Sequence, residues 1–404
     1  MKHTLYNICL GLWACIVFSA CELLSPSEVE NPNVVESDFA NSPDAMNTWV
    51  NGTNARFAVA LAKFSEFTGL LSDDLYNNSS RSSKGYDVLD IRYTDGEVTN
   101  LSTHIGRLLQ MSDYGLQTLA RKDEKTTSDQ LFNLHYIRIY TCLLGAENFV
   151  ALPTEARGEV LDRNAMAKCA LAEVDAAKAS ASNNEQKALL ALLQARAYRL
   201  LGDLEHAASS AQKSLSLAGQ MVYQVQFDGL NGFANSLQEL IASDLFTILP
   251  RLQEQKAKFP MDAYWNQPIV FAKSEEAWLI QAEAHIAGND YVAARSAFAS
   301  LLDLIGTRSA TISATSVLPA DIEAAQSKIQ MLELLYLLRQ EVFFGEGRRS
   351  SDLGIRLPLS EVEYNDHNNL PTEYTQPVIP AFLLEIRNEI DKHEDINHLL
   401  VANL

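Results

Sequence analysis

Cysteine, glycine and proline are all sparse in this chain of 404 residues, at 5, 18 and 12. So little glycine and proline excludes a collagen-like or low-complexity polymer. At 47% hydrophobic and 21% charged, the chain is not a disordered acidic segment either. Basic charge is also short: 32 Lys and Arg face 51 Asp and Glu, a net charge of −19. Such a surface repels phosphate, no basic cluster offsets it, and nucleic-acid binding is excluded. Long apolar runs are missing apart from residues 5–18, whose 14 positions fall short of the ~20 that span a bilayer.

Recognisable catalytic and metal motifs are missing as well. There is no HExxH zinc motif. The nearest pattern, His393-Glu394 with His398, sets its imidazoles five residues apart on different helix faces. No G-x-S-x-G elbow, GxxxxGK[ST] phosphate loop or EF-hand loop occurs. Gly345-Glu346-Gly347 follows a helical stretch instead of a strand, so it reads as a turn that ends the helix. His104, His135, His206, His285 and His367 are scattered singly. The chain is not expected to be an enzyme, and no cofactor or metal site is expected, with a structural calcium at an acidic loop left open.

Residues 1–20 read as an export leader. Lys2 precedes the apolar run, whose length suits a signal-peptide core of ~7–15 residues. The run ends in Phe18-Ser19-Ala20-Cys21, which is similar to the lipobox of bacterial lipoproteins, where the cysteine thiol is acylated and becomes the mature N-terminus. Cys21 is therefore the expected lipid attachment, and the membrane anchor would be its acyl chains, each buried methylene adding ~0.8 kcal/mol. Beyond it only Cys142 and Cys169 remain, too few for a disulfide scaffold or a cysteine-based zinc site. Both fall in helical segments, as buried free thiols or as one bridge.

Residues 21–404 read as a single helical-repeat domain, of which 21–44, with Pro26, Pro32 and Pro43, form a tether. Helices are predicted over 45–63, 104–119, 127–150, 163–179, 322–344 and 381–393. Residues 189–217 carry more information. Ala195, Ala197 and Ala207 stand where two helices would cross closely, Tyr198 is a packing aromatic, and Gly202-Asp203 marks the turn. Residues 278–302 repeat the arrangement with Trp278, Ala282, Ala284, Tyr291 and Ala294, and Asn289-Asp290 at the turn. Both look like tetratricopeptide-type hairpins, which bury their apolar face by stacking on neighbours. The expected fold is all-α: mostly helical, with tetratricopeptide-like hairpins, long irregular loops at 64–102 and 219–271, and few or no strands, any of them short and peripheral. In the first loop Asp73-Asp74 lies close to Tyr76, where it would bind a ligand or calcium if it is not simply solvated.

Several of these pieces together resemble the SusD/RagB family of outer-membrane nutrient-uptake lipoproteins. Asn31-Pro32-Asn33, Phe39, Asn51-Gly52 and Ser72-Asp73-Asp74 are similar to the family's opening pattern, and residues 277–298 to its helix pair. Arg339-Gln340-Glu341, Gly345-Glu346-Gly347-Arg348-Arg349 and Asp352-Leu353 are similar to its E-R…E-L…E-G-x-R…D-L signature. Pro380 with Glu385-Ile386-Arg387-Asn388 resembles its closing element. The chain departs from the family at Leu338, where a Glu is usual, and at Ser350 and Ser351, where aromatics are common. Glu346, Arg348 and Asp352 are read as ion-pairing residues that fix the turn after a helix.

The resemblance implies a non-enzymatic lipoprotein at the cell surface of the outer membrane. It would capture an oligosaccharide, or in some members a peptide, and hand it to a SusC-like TonB-dependent β-barrel that it covers as a lid. Sugar capture needs flat aromatic faces against C–H surfaces, with Asp, Asn or Arg for the hydroxyls. The irregular segments offer Asp73, Asp74, Tyr76, Asn77, Tyr86, Tyr264 and Trp265. One competing reading is a helical-repeat scaffold for envelope proteins without a small ligand. Another is a hydrolase, which would need two carboxylates roughly 5–9.5 Å apart around a cleft.

Overall fold

The computed structural model describes residues 39, 40, 42, 44–78, 82–155, 158–227, 234–260, 266–386 and 396–404. The leader, the tether up to residue 38, Cys21, Tyr264 and Trp265 lie outside the described residues.

Helix α1 (Ala45–Leu70) runs past its predicted end at residue 63, because Phe64, Phe67 and Leu70 extend its buried stripe. Helix α2 (Gly96–Tyr114) continues into a π-turn at Gly115–Leu119 and starts before residue 104, with Val98, Leu101 and Ser102 already buried. Helix α3 (Ser128–Asn148) opens on a capping box in which the Thr127 side chain accepts from Gln130 N and Gln130 accepts from Thr127 N. Asp162 caps helix α4 (Arg163–Ala177) by accepting from Ala165 N at 2.8 Å.

The two predicted hairpins are present and are built by one device. Helices α5 (Asn184–Leu200) and α6 (Leu204–Leu217) turn at Gly202, where φ is 77°. After α7 (Ser236–Ala242), helices α8 (Ser274–Ala287) and α9 (Tyr291–Gly306) turn at Asn289, where φ is 60°. In each turn the next residue, Asp203 or Asp290, donates its N–H back to Tyr198 O (3.0 Å) or His285 O (2.8 Å), closing the first helix. The same aspartate then accepts from His206 N (3.2 Å) or Ala293 N (3.0 Å), opening the second. Ala195, Ala197, Ala207, Ala282 and Ala294 are buried, as the close crossing requires, whereas Ala284 is only half-buried.

The predicted helix at 322–344 is two helices, α10 (Pro319–Ala324) and α11 (Lys328–Val342), because Ser327 and Gln330 form a capping box that starts the second afresh. Shorter helices follow: α12 (Arg349–Asp352), α13 (Glu361–Asp366), α14 (Ala381–Ile386) and α15 (Asn397–Ala402). The pairs α3/α4, α5/α6 and α8/α9 stack through α4 on α5 and α6 on α8, and α11 packs on α8. The main core joins α1 to α6 and the strands, while Leu279, Phe298, Leu335 and Leu338 centre a second core under α8–α11. Leu338 therefore fills apolar space where the family carries a glutamate.

The strands are short and form antiparallel pairs. Strand β1 (Leu75–Asn77) pairs with β5 (Phe246–Ile248), and β2 (Ala151–Pro153) with β3 (Val160–Asp162). Strand β4 (Val222–Val225) pairs with β6 (Ile269–Lys273) through a bulge at Tyr223/Gln224. The expectation that strands are peripheral fails for β6. All five of its residues are buried, and Phe271 stacks on Tyr136 with ring centroids 5.6 Å apart.

Candidate functional site

Residues 64–102 and 219–271, the two irregular segments in which ligand residues are expected, meet in the β1–β5 ribbon. Both strands alternate buried, exposed, buried, so Tyr76 and Thr247 sit opposite each other on the outer face. Tyr76 is 39% exposed. Beside it Asn78 donates from Nδ2 to Thr247 Oγ1 (2.6 Å) and to Asp244 O (3.0 Å), which fastens the ribbon's end.

The other described candidates face inward. Asp73 is clamped by Arg349, whose Nε donates to Oδ1 (2.7 Å) and Nη2 to Oδ2 (2.9 Å), and Arg251 donates to the same carboxylate. Burial alone would raise this carboxyl, but the two guanidinium groups hold it down at about 2. Asp74 accepts from Gln340 Nε2 at 2.8 Å; burial, and then the charge of Asp73, push its carboxyl up to about 7. Asn77 is fully buried, its backbone N–H donating to Asp87 Oδ2 at 3.3 Å. Tyr86 packs edge-on against Phe67 with centroids 4.5 Å apart. Burial and the nearby acids Asp95 and Glu97 raise its phenol well above the usual range. Of the five described candidates, Tyr76 alone is open to solvent.

Beneath the ribbon lies a buried lattice of charge. Arg348 donates to Glu276 (3.1 and 3.3 Å), and Arg196 to Glu147. Arg339 grips Asp352 at 2.9 and 2.8 Å. Lys273 Nζ donates to Glu346 at 2.6 Å. Glu346, Arg348 and Asp352 thus do form ion pairs, and their partners come from α3, α5, α8, α11 and β6, with Lys258 as a further partner of Glu346. Lys258 donates to the carbonyls of Glu341 (3.2 Å), Val342 (2.7 Å) and Phe344 (3.3 Å), capping the C-terminus of α11. Burial, and then the like charge of Lys273, push its ammonium down to about 7. Gly345 and Gly347 both have φ of 73°, and a Cβ on Gly345 would come within 2.4 Å of Phe259 Cζ.

Sequence reasoning missed the buried cations Lys258 and Lys273 and the partly buried Arg251, which have no local pattern. It also missed the ribbon, although Phe246-Thr247-Ile248 does carry the alternation of a half-buried strand. Clefts occur elsewhere among the described residues. One of about 540 Å³ runs along α2 past Gly106, Gln110 and Tyr114, with Thr154, Glu155 and Glu363 opposite. Another, about 320 Å³, is lined by Tyr86, Asp90, Arg92, Asp95 and Glu97. Among the described residues no group of three or more His, Cys, Asp or Glu is placed to hold a metal ion. Nor is any described helix long and apolar enough to cross a membrane.

No protein-family model matches the chain, and no curated protein matches it. Solved structures do. A SusD-like carbohydrate binding protein from Bacteroides vulgatus superposes with a TM-score of 0.55 at 15% identity, over 76% of this chain and 82% of its own. A SusD homolog from Bacteroides thetaiotaomicron gives 0.59 at 12% identity, over 79% and 87%. B. fragilis NanU gives 0.55 at 11% identity, over 87% and 96%. At these identities the common ground is architecture, shared over most of each chain: the chain has the SusD-like fold.

Proposed function

We propose that the protein is a lipid-anchored, non-enzymatic binding protein that captures an oligosaccharide or a peptide at the outer surface and delivers it to a SusC-like TonB-dependent transporter. The observation that carries this reading is the SusD-like fold across most of the chain, shared with a protein described as carbohydrate binding. The leader and Cys21 supply the anchor in this account.

The ligand face is the β1–β5 ribbon. Tyr76 offers its ring to a sugar face, and Asn78 and Thr247 stand beside it as hydroxyl partners. Tyr264 and Trp265, which lie outside the described residues, stay candidates from the sequence alone. Asp73, Asp74, Asn77 and Tyr86 serve from below, holding the ribbon in place. The test is binding of the purified mature chain to arrays of oligosaccharides and peptides, with a Tyr76→Ala variant alongside. A retained glycan or peptide class that the variant binds about tenfold less well supports the reading. No retained ligand, or equal binding by the variant, removes the ribbon as the ligand face.

A further inference from the structure

Cys142 lies on α3 and Cys169 on α4, and the two helices pack as neighbours along their length. Their sulfur atoms are 2.9 Å apart. We infer that Cys142 and Cys169 are a redox pair that closes to an intramolecular disulfide, cross-linking α3 to α4, once the chain meets a disulfide oxidant.

The surroundings suit that chemistry. Cys142 is fully buried, whereas Cys169 is only partly buried, so Cys169 is the nearer of the two to a reagent from solvent. The two sulfurs are within hydrogen-bonding distance, and that contact, with Arg138 nearby, holds the Cys169 thiol below its ordinary value. The same contact and burial push Cys142 up. Thiolate therefore forms first at Cys169, the less buried of the two, where it acts as the nucleophile. Arg138 is itself fixed by Asp113 on α2 and by Glu173 on α4.

The exchange balances with a disulfide of general form RSSR. The Cys169 thiolate attacks one sulfur of RSSR, forming the mixed disulfide Cys169–S–S–R and releasing RS⁻, which takes up the proton lost by Cys169. Cys142 then loses its proton and attacks the Cys169 sulfur, expelling the second RS⁻. The net change is two protein thiols oxidised and one RSSR reduced to two RSH. No other intramolecular partner competes: the chain's remaining cysteines are Cys9, Cys15 and Cys21. Two of those lie in the leader and the third is assigned to lipid. Bridging in the cell rests on the export reading above, because only an exported chain stays in an oxidising compartment. The geometry does not depend on it.

Two measurements keep these apart. First, the purified mature chain is incubated with oxidised glutathione, unfolded, alkylated with N-ethylmaleimide and weighed intact. The expected result is loss of the two alkylation sites at Cys142 and Cys169, a mass lower by two hydrogens, and one cross-linked peptide pair. The bridged chain should also melt higher than the same chain after reduction. In Cys169→Ser, Cys142 should stay alkylatable and carry no glutathione. Two alkylated thiols in the native chain, or a glutathione adduct on Cys169 that persists, would overturn the inference. Second, the protein is taken from its own envelope with thiols blocked at harvest. A bridge that forms with glutathione but is absent there contradicts the export reading and leaves the pairing standing.

Discussion

Asp73 and Asp74 are adjacent and both buried, but their carboxyls face different surroundings. Asp73 is held by Arg349 and Arg251 at about 2, below its ordinary 3.8, so its pairing stabilises the fold above pH ~4 and is lost as pH falls through about 2. Asp74 is raised to about 7, so it favours the folded state below pH ~4, an advantage lost as pH rises through about 7. The two substitutions should therefore differ in sign at neutral and higher pH. Asp73→Asn strands the buried Arg349 guanidinium and the partly buried Arg251, and should cost about 3–5 kcal/mol. Asp74→Asn keeps an acceptor for Gln340 and removes a buried like charge, so at pH 8 it should gain on the order of 2 kcal/mol, fading to nothing near pH 4. Urea denaturation of the native chain and both variants at pH 4 and pH 8 checks this. Lys258, pushed down from 10.5 to about 7, slopes the other way above pH ~7, so at pH 8 the difference between variant and native is the quantity to read. A destabilised Asp74→Asn at pH 8 would contradict the account.

At the scale of elements, helix and turn signals were legible where they are local. The paired hairpins could be read from small residues at the crossings and from Gly202-Asp203 and Asn289-Asp290 at the turns, because every contact those signals describe lies within a few residues. Truncating a cap should act locally in the same way: Asp203→Ala and Asp290→Ala should each cost about 1 kcal/mol, measured by thermal denaturation. The glycines separate on the same grounds. Gly106, mid-way along α2 with open space around its missing Cβ, should become more stabilising as Ala by about 0.5–1 kcal/mol. Gly345→Ala meets both a φ of 73° and the Phe259 ring, and should lose about 1–3 kcal/mol. The β1–β5 ribbon was not legible, since it joins two three-residue strands about 170 positions apart, and a run of three alternating residues is too short to announce a partner.

For the whole molecule, the charge lattice explains why the family-like motifs at Ser72-Asp73-Asp74 and at residues 345–353 occur so far apart in the chain. They are two sides of one contact, Asp73 with Arg349, which fastens the start of the β1–β5 ribbon to α12. A linear reading saw the acidic pair as a solvent-facing binding group because burial is a property of the assembled fold, and only Tyr76 among the described candidates stayed outside. Being half-exposed and part of no lattice, Tyr76→Ala should change stability by less than about 0.5 kcal/mol, so that any loss of binding reports on the face itself.

The central claim is that this fold serves an importer. It is tested most directly by solubilising the outer membrane in mild detergent, capturing the tagged native protein with a crosslinker in place, and identifying what accompanies it by mass spectrometry. The account predicts a TonB-dependent β-barrel in stoichiometric amount. Recovery of periplasmic or surface proteins without such a barrel would contradict it and favour a helical-repeat scaffold instead.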